Sequence, residues 1–176
     1  MASKADIRSE VRGALKELGA AQRHEAAAGI IAQLLAHPAV RSAGTVMLFS
    51  PLPSEPDISP LLNLLKDKTL LLPAVDGDDM LAKVASGEFR TGEFGIAEPD
   101  TDSIFTDLDA IDVILVPGVA FTADGMRLGR GKGYFDRFLK KLSPHTLKIG
   151  IGYSLQLRAS LPTDIWDMPL DMVVVA

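Results

Sequence analysis

The chain has 176 residues, enough to bury a substantial core, and we expect a single domain spanning residues 1–176. Its formal net charge of −5 leaves no overall basic field to attract nucleic acid or an anionic membrane, so any anion site must be local. The lack of cysteine excludes disulfides, zinc–thiolate sites and a thiol nucleophile.

Helices and strands alternate along the predicted chain. Ser3 and Asp6 have the pattern of a capping box, and apolar residues then recur at helical spacing up to Leu18. The further predicted elements are a helix at 21–37, a strand at 45–49, a helix at 57–67, strands at 69–75 and 80–86, a loop at 91–103, a strand at 111–121, a helix at 134–142, and strands at 147–153 and 172–176. This order predicts an α/β fold with a mostly parallel central sheet flanked by helices, and ligands at the carboxyl ends of the strands.

No apolar run approaches the roughly 20 residues of a membrane span. The N-terminal segment MASKADIRSEVRG also lacks the apolar core of a signal peptide. We therefore expect a cytoplasmic protein with neither membrane nor nucleic acid as a partner.

The segment LGRGKGYFDR, residues 128–137, joins the central strand to the next helix and places a glycine at every second position. Successive backbone N–H groups in a glycine-rich turn form an anion nest, to which a helix N-terminus adds positive potential. With Arg127, Arg130 and Lys132 beside it, the segment suits a polyphosphate. It matches neither the P-loop nor the dinucleotide-binding fingerprint, and an ordinary tight loop with a solvated basic edge is the alternative.

Two cations of the first helix face the protein body. At about 100° per residue, Lys4 and Arg8 share a sector with Val11 and Leu15. Burying such charges without an anionic partner is costly, so we expect Arg8 to meet an anion. For Lys4, an anion site and a side chain that snorkels at a frayed helix end are both open.

The segment VPGVAFTADGMRLGRGKGYFDRFL, residues 116–139, closely resembles the signature of the 5-formyltetrahydrofolate cyclo-ligases, also called 5,10-methenyltetrahydrofolate synthetases. Shorter resemblances occur in the family's order: KADIR, SEPDI, FGIAEP and DMPLDMVVV. The family usually has two tyrosines where Tyr134 and Phe135 stand, which implies that the second hydroxyl is dispensable. The resemblance implies a fold related to sugar-phosphate isomerases and CoA transferases. It also implies a reaction in which ATP and 5-formyltetrahydrofolate give 5,10-methenyltetrahydrofolate, ADP and phosphate.

The resemblance further implies a set of site residues. The ATP contacts would be Lys4, Ala5, Asp6, Ile7, Arg8, Arg127, Leu128, Gly129, Arg130, Gly131, Lys132, Gly133, Tyr134 and Phe135. The folate contacts would be Ser50, Glu55, Arg130, Gly131, Lys132, Gly133 and Tyr134. Asp136 and Asp171 would hold Mg²⁺, while Arg130 and Lys132 would stabilise charge on the transferred phosphoryl group.

Several of these residues could instead have an ordinary structural role. Asp136 is also a favourable acid for the first turn of a helix, and Asp171 would suit the edge of a strand. Glu55 in isolation would be a solvated loop residue, and Trp166 is expected in the core. For the whole chain we expect a monomeric enzyme acting on small molecules. The alternatives are a non-catalytic folate or phosphometabolite sensor of the same fold, and a sugar-phosphate isomerase, for which no carboxylate base stands out.

Overall fold

A computed structural model describes residues 1–86, 89–92, 95, 97–99 and 103–176. Its helices are α1 (Lys4–Lys16), α2 (Ala20–Ala36), α3 (Pro38–Ser42), α4 (Leu61–Leu64) and α5 (Tyr134–Leu139). Its strands are β1 (Thr45–Met47), β2 (Thr69–Asp76), β3 (Asp79–Val84), β4 (Phe89–Thr91), β5 (Ala97–Pro99), β6 (Val113–Pro117), β7 (Ala120–Thr122), β8 (Arg127–Leu128), β9 (Leu147–Gly152), β10 (Leu157–Arg158) and β11 (Met172–Val175).

The central sheet has the strand order β11-β9-β6-β1-β2-β3. The pairs from β11 to β2 are parallel, and only β3 runs antiparallel to its neighbour within this sheet. The four residues Val113–Val116 of β6 are buried without alternation, as expected for a parallel strand covered on both faces. The predicted mostly parallel α/β sheet flanked by helices is confirmed.

The first helix begins where the sequence predicts. The side chain of Ser3 accepts a hydrogen bond from the amide of Asp6, and the Asp6 carboxylate accepts one from the amide of Ser3, which completes the capping box. Hydrogen bonds from Ser3 lower the pKa of Asp6. Val11 and Leu15 pack with Leu128 and Tyr153 in a small apolar cluster that fixes the helix beside the glycine-rich loop.

Several predicted elements differ in the structure. The expected strand 111–121 is two strands, because the chain leaves the central sheet after β6 and forms a separate sheet of order β10-β7-β8. The expected helix 57–67 shrinks to α4, whose N-cap is Pro60; a proline disfavours helical backbone in the residue before it. The expected loop 91–103 contains part of the β4–β5 hairpin, while its residues 93, 94, 96 and 100–102 lie outside the described residues.

Among the described helices, none is both long and apolar enough to cross a bilayer.

Candidate functional site

A cleft of about 670 Å³ lies at the carboxyl end of the parallel strands. Its walls come from segments that are distant in sequence: the start of α1, the loop that follows β1, the glycine-rich loop, and the turn that precedes β11. Most of the sequence-predicted residues meet here, namely Lys4, Arg8, Ser50, Glu55, Arg127, Leu128, Gly129, Arg130, Gly131, Lys132, Gly133, Tyr134, Phe135 and Asp136. The structure therefore brings the two predicted substrate regions into one cavity.

The three alternating glycines of the loop have two different physical causes. Gly131 and Gly133 adopt φ values of 113° and 72°, in the left-handed region that other residues rarely occupy. Gly133 is also the N-cap of α5. Gly129 lies in a tight space, because a Cβ there would lie 3.0 Å from Nη1 of the buried Arg127. The loop is thus a constrained segment.

Arg127 is the buried cation beneath this loop. Its Nη1 donates to the Pro117 carbonyl at 2.9 Å, and its Nη2 lies 3.2 Å from Oδ2 of Asp136. Its Nε has no hydrogen-bond partner in the part of the chain that the structure describes. Burial lowers the pKa of Arg127, and the charge of Asp136 opposes that shift. These contacts fix Arg127 as a support of the loop and of Asp136.

The two cations of α1 face the cleft in different ways. Nε of Arg8 donates to the Gly129 carbonyl at 2.9 Å, and its guanidinium lies 3.6 Å from the Cβ position of Gly131. Nζ of Lys4 instead contacts Oδ2 of both Asp164 and Asp167 at 2.7 Å. Lys4 therefore meets anions, and these are carboxylates of the chain itself.

The ion pair between Lys4 and Asp167 shifts the pKa values of both groups. Burial acts to lower the pKa of Lys4, but hydrogen bonds to Asp164 and Asp167 outweigh it, so that the pKa is raised. Burial acts to raise the pKa of Asp167, but the hydrogen bonds from Lys4 and from the Asp164 amide outweigh it, and the pKa is lowered. Lys4 and Asp167 are therefore both charged throughout the neutral pH range.

Glu55, from the loop that follows β1, also lines the cleft, and its side chain is only 7% exposed. Oε2 accepts a hydrogen bond from the Leu52 amide at 2.9 Å, and Oε1 accepts one from Nη2 of Arg130 at 3.0 Å. Arg130 also donates to the Ser54 hydroxyl at 2.9 Å. The hydroxyl of Ser50 donates to the Ala97 carbonyl at 2.6 Å. Glu55 is thus a buried, pre-oriented carboxylate, and the solvated-loop interpretation is wrong.

Lys132 lies at the exposed crest of the loop. Its carbonyl accepts a hydrogen bond from Nη1 of Arg137 at 2.9 Å, and the neighbouring Tyr134 hydroxyl donates to the Gly77 carbonyl at 3.0 Å. The guanidinium of Arg137 also lies 5.2 Å from the centre of the Tyr134 ring. The backbone around Lys132 is therefore tied to the turn between β2 and β3.

Four of the predicted contacts do not line the cleft. Ala5 and Asp6 are exposed, and Ile7 is buried in the apolar cluster beneath α1. Asp171 does not line the cleft. Its Oδ2 accepts a hydrogen bond from the backbone amide of Lys148 at 2.7 Å, which ties the start of β11 to β9. The structure does not support the predicted pairing of Asp136 with Asp171 as metal ligands.

Sequence reasoning missed Asp164, Trp166 and Asp167, which all line the cleft. The motif DMPLDMVVV contains two aspartates, and neither charge nor spacing indicates which of them turns inward. Trp166 was expected in the core, but it is 58% exposed. Within the described ranges, no group of three or more His, Cys, Asp or Glu side chains could hold a metal ion.

Comparison with known proteins assigns the chain to a family. The model of the 5-formyltetrahydrofolate cyclo-ligase family matches residues 1–176. A 5-formyltetrahydrofolate cyclo-ligase from Escherichia coli (strain K12) is 30% identical over 173 residues, which are 93% of this chain and 95% of that protein.

Two solved structures share the fold over nearly the whole chain. The NMR structure of Aquifex aeolicus 5,10-methenyltetrahydrofolate synthetase has a TM-score of 0.87 and 36% identity, covering 98% of this chain and 89% of that one. A 5,10-methenyltetrahydrofolate synthetase from Mycoplasma pneumoniae has a TM-score of 0.80 and 26% identity, covering 98% of both chains. The chain therefore belongs to the 5-formyltetrahydrofolate cyclo-ligase family.

Proposed function

We propose that this chain is an ATP-dependent 5-formyltetrahydrofolate cyclo-ligase, which forms 5,10-methenyltetrahydrofolate with release of ADP and phosphate. The observation that carries the proposal is one cleft shared by a cation-bearing glycine loop with two positive-φ residues and the buried carboxylate of Glu55. Membership of the family supports the catalytic function over a sensor module. A monomeric state and a cytoplasmic location stay predictions.

The reaction takes place in two steps. The formyl oxygen attacks the γ-phosphorus of ATP, and the bond to the ADP oxygen breaks, so that a poor leaving group becomes a phosphate ester. N10 then attacks the activated carbon, the carbon–oxygen bond breaks, and phosphate leaves as N10 loses its proton. Neither step requires a nucleophile from the protein, whose work is to position the reactants and stabilise charge.

The phosphate side of the cleft has the groups that this chemistry needs. The loop from Gly129 to Gly133 brings backbone N–H groups close to the phosphates, since two of its residues have positive φ. Arg8 is held against this loop by the Gly129 carbonyl and can direct its Nη atoms to phosphate oxygens. Lys132 on the crest of the loop supplies a compact charge for the transferred phosphoryl group.

On the folate side, Glu55 and Arg130 exchange partners when substrate binds. A carboxylate with one oxygen fixed by the Leu52 amide presents its other oxygen to the N–H donors of a pterin ring. In the structure that oxygen accepts a hydrogen bond from Nη2 of Arg130. A pterin on Glu55 therefore releases the guanidinium, half-exposed at 50%, to turn toward the phosphoryl group.

A magnesium ion fits the carboxylates of the cleft when nucleotide phosphates complete its coordination. Mg²⁺ is commonly held by one or two carboxylates together with substrate phosphates and water. Asp136 and Asp167 are the candidates; both hydrogen bonds to Asp167 from described residues use Oδ2 and leave Oδ1 for a cation. The ion would supply positive charge that offsets the negative charge of the nucleotide phosphates. Asp167→Asn should raise the Mg²⁺ concentration for half-maximal rate, whereas Asp171→Asn should not.

The test of the proposal is methenyl product formation, followed by absorbance, with simultaneous measurement of phosphate. Product is expected only when ATP, Mg²⁺ and 5-formyltetrahydrofolate are all present, with one phosphate released for each product. Binding of both ligands without turnover would instead identify a sensor. Product formed at the same rate without ATP would rule out the phosphorylation mechanism.

A further inference from the structure

Trp166 is the sole tryptophan of the chain, and its indole is exposed at a position where it adds little to folding stability. It lines the cleft and is 58% exposed. A large aromatic side chain that is left half in water contributes little to folding, because the stabilisation from apolar burial scales with the area removed from water. Its position therefore needs an explanation other than packing.

The backbone that carries Trp166 is held firmly on several sides. The Asp167 amide donates to the Asp164 carbonyl at 3.1 Å, which closes a four-residue turn around Trp166. Lys4 binds both carboxylates of that turn, and the Met168 amide donates to Oδ1 of Asp136 at 3.1 Å. An aromatic ring on such a fixed support is pre-organised for a planar ligand, since little conformational entropy remains to be lost on binding.

The contacts of this turn place it on the nucleotide side of the cleft. Lys4 stands one helical turn before Arg8, whose guanidinium lies against Gly131 of the phosphate loop. Glu55, in the loop after β1, contacts Arg130 of the glycine-rich loop. Because the γ-phosphate must meet the formyl group beside Arg130, we expect the base of ATP at a part of the cleft away from that contact. Trp166 lines the cleft on a turn whose contacts are to Lys4 and Asp136, which suits it to that end.

We propose that Trp166 is the platform on which the purine base of ATP stacks. This inference rests on the proposed function, because it assumes that ATP is the co-substrate. Stacking of a base on an aromatic side chain pairs two π-faces without hydrogen-bond readout, so Trp166 would contribute to affinity more than to the choice between purines. The turn from Asp164 to Asp167 then acts as the wall that closes the nucleotide end of the cleft.

The test compares a nucleotide with its base-free counterpart. Affinities for Mg·ATP and Mg·tripolyphosphate are measured by titration calorimetry in the wild type, Trp166→Ala and Trp166→Phe. Ile165→Ala is the matched control, because Ile165 is 94% exposed in the same turn and does not line the cleft. In the wild type, the fluorescence of the only tryptophan should also change on adding ATP and should stay constant on adding tripolyphosphate.

We expect Trp166→Ala to weaken ATP binding about 5- to 150-fold, as loss of one stacked base does, and to leave tripolyphosphate binding unchanged. Trp166→Phe should retain most of the affinity. Equal weakening of both ligands, or unchanged ATP affinity, would overturn the proposal, and so would a loss confined to 5-formyltetrahydrofolate. If the wild type binds neither ATP nor tripolyphosphate, the proposed function itself fails.

Discussion

Replacement of Arg8 by alanine tests whether the first helix takes part in nucleotide binding. Nε of Arg8 donates to the Gly129 carbonyl at 2.9 Å, so the two Nη atoms are the part of the side chain that faces the space beside Gly131. If both reach phosphate, the variant loses charged hydrogen bonds, each worth about 1.5–3 kcal/mol. One such bond corresponds to a rise of about 10- to 150-fold in the KM for ATP.

The same substitution removes the hydrogen bond that the charged guanidinium donates to the Gly129 carbonyl. A hydrogen bond from a charged donor is worth about 1.5–3 kcal/mol, and the partial exposure of Arg8 places this one near the lower value, so the melting temperature should fall by about 3–6 °C. Steady-state kinetics with either substrate varied separates these effects. The KM for 5-formyltetrahydrofolate should change little, because no folate contact is proposed for Arg8.

Arg12 provides the matched control for Arg8. It stands one helical turn further along α1 and lines a smaller neighbouring groove but not the main cleft. Arg12→Ala removes the same kind of side chain from the same helix face and should leave the KM for ATP unchanged. An unchanged KM for ATP in Arg8→Ala, together with a lowered melting temperature, would refute the phosphate contact and favour a packing role.

Three further predictions concern the loop and its ion pairs. Lys132→Ala should lower kcat about 10²- to 10³-fold at native melting temperature, and Lys132→Arg should restore it only in part; near-normal kcat in Lys132→Ala would mean a solvated loop charge. Gly131→Ala should weaken ATP binding, because the φ of 113° at this position strains any residue other than glycine. Gly13→Ala, in open space on α1, should instead raise the free energy of unfolding by about 0.5–1 kcal/mol. Equal melting temperatures for the two variants would contradict the difference in backbone strain. Lys4→Met should lower stability at pH 7 by about 1 kcal/mol or less. The lowered pKa of Asp167 contributes stability above its unfolded pKa of about 3.9, and that stability is lost as pH falls through the folded pKa. The stability difference between Lys4→Met and the wild type should therefore shrink over this pH range. A stability difference in thermal melts that does not change with pH would argue against the ion pair.

The sequence predicted the features whose causes are local. The capping box of Ser3 and Asp6 acts within one helical turn, and the need for glycine at 131 and 133 follows from backbone conformation. The inward direction of Arg8 follows from the 3.6-residue period of the helix. Each of these features depends only on the residue and its near neighbours in sequence, and for that reason it could be predicted from the sequence alone.

The predictions that the structure contradicts concern features that depend on contacts with other segments of the chain. Gly118 lies where the predicted central strand is interrupted, and the Phe121 ring and Arg127 pack there, so closely that a Cβ at Gly118 would lie 2.7 Å from the ring and 3.0 Å from Cγ of Arg127. Trp166 was assigned to the core by residue type alone, yet Lys4, far away in sequence, fixes the turn that exposes it. Asp171 was predicted as a metal ligand from the resemblance alone, and its carboxylate accepts the Lys148 amide where β11 pairs with β9, a contact that the local sequence does not indicate.

The proposed function requires that the formyl oxygen is phosphorylated before the ring closes. The most direct measurement uses 5-formyltetrahydrofolate labelled with ¹⁸O in the formyl group and follows the label by mass spectrometry of the released phosphate. Because the carbon–oxygen bond breaks in the second step, we predict that each phosphate carries one ¹⁸O atom from the substrate. Unlabelled phosphate alongside methenyl product would show that the oxygen leaves as water and would contradict the account.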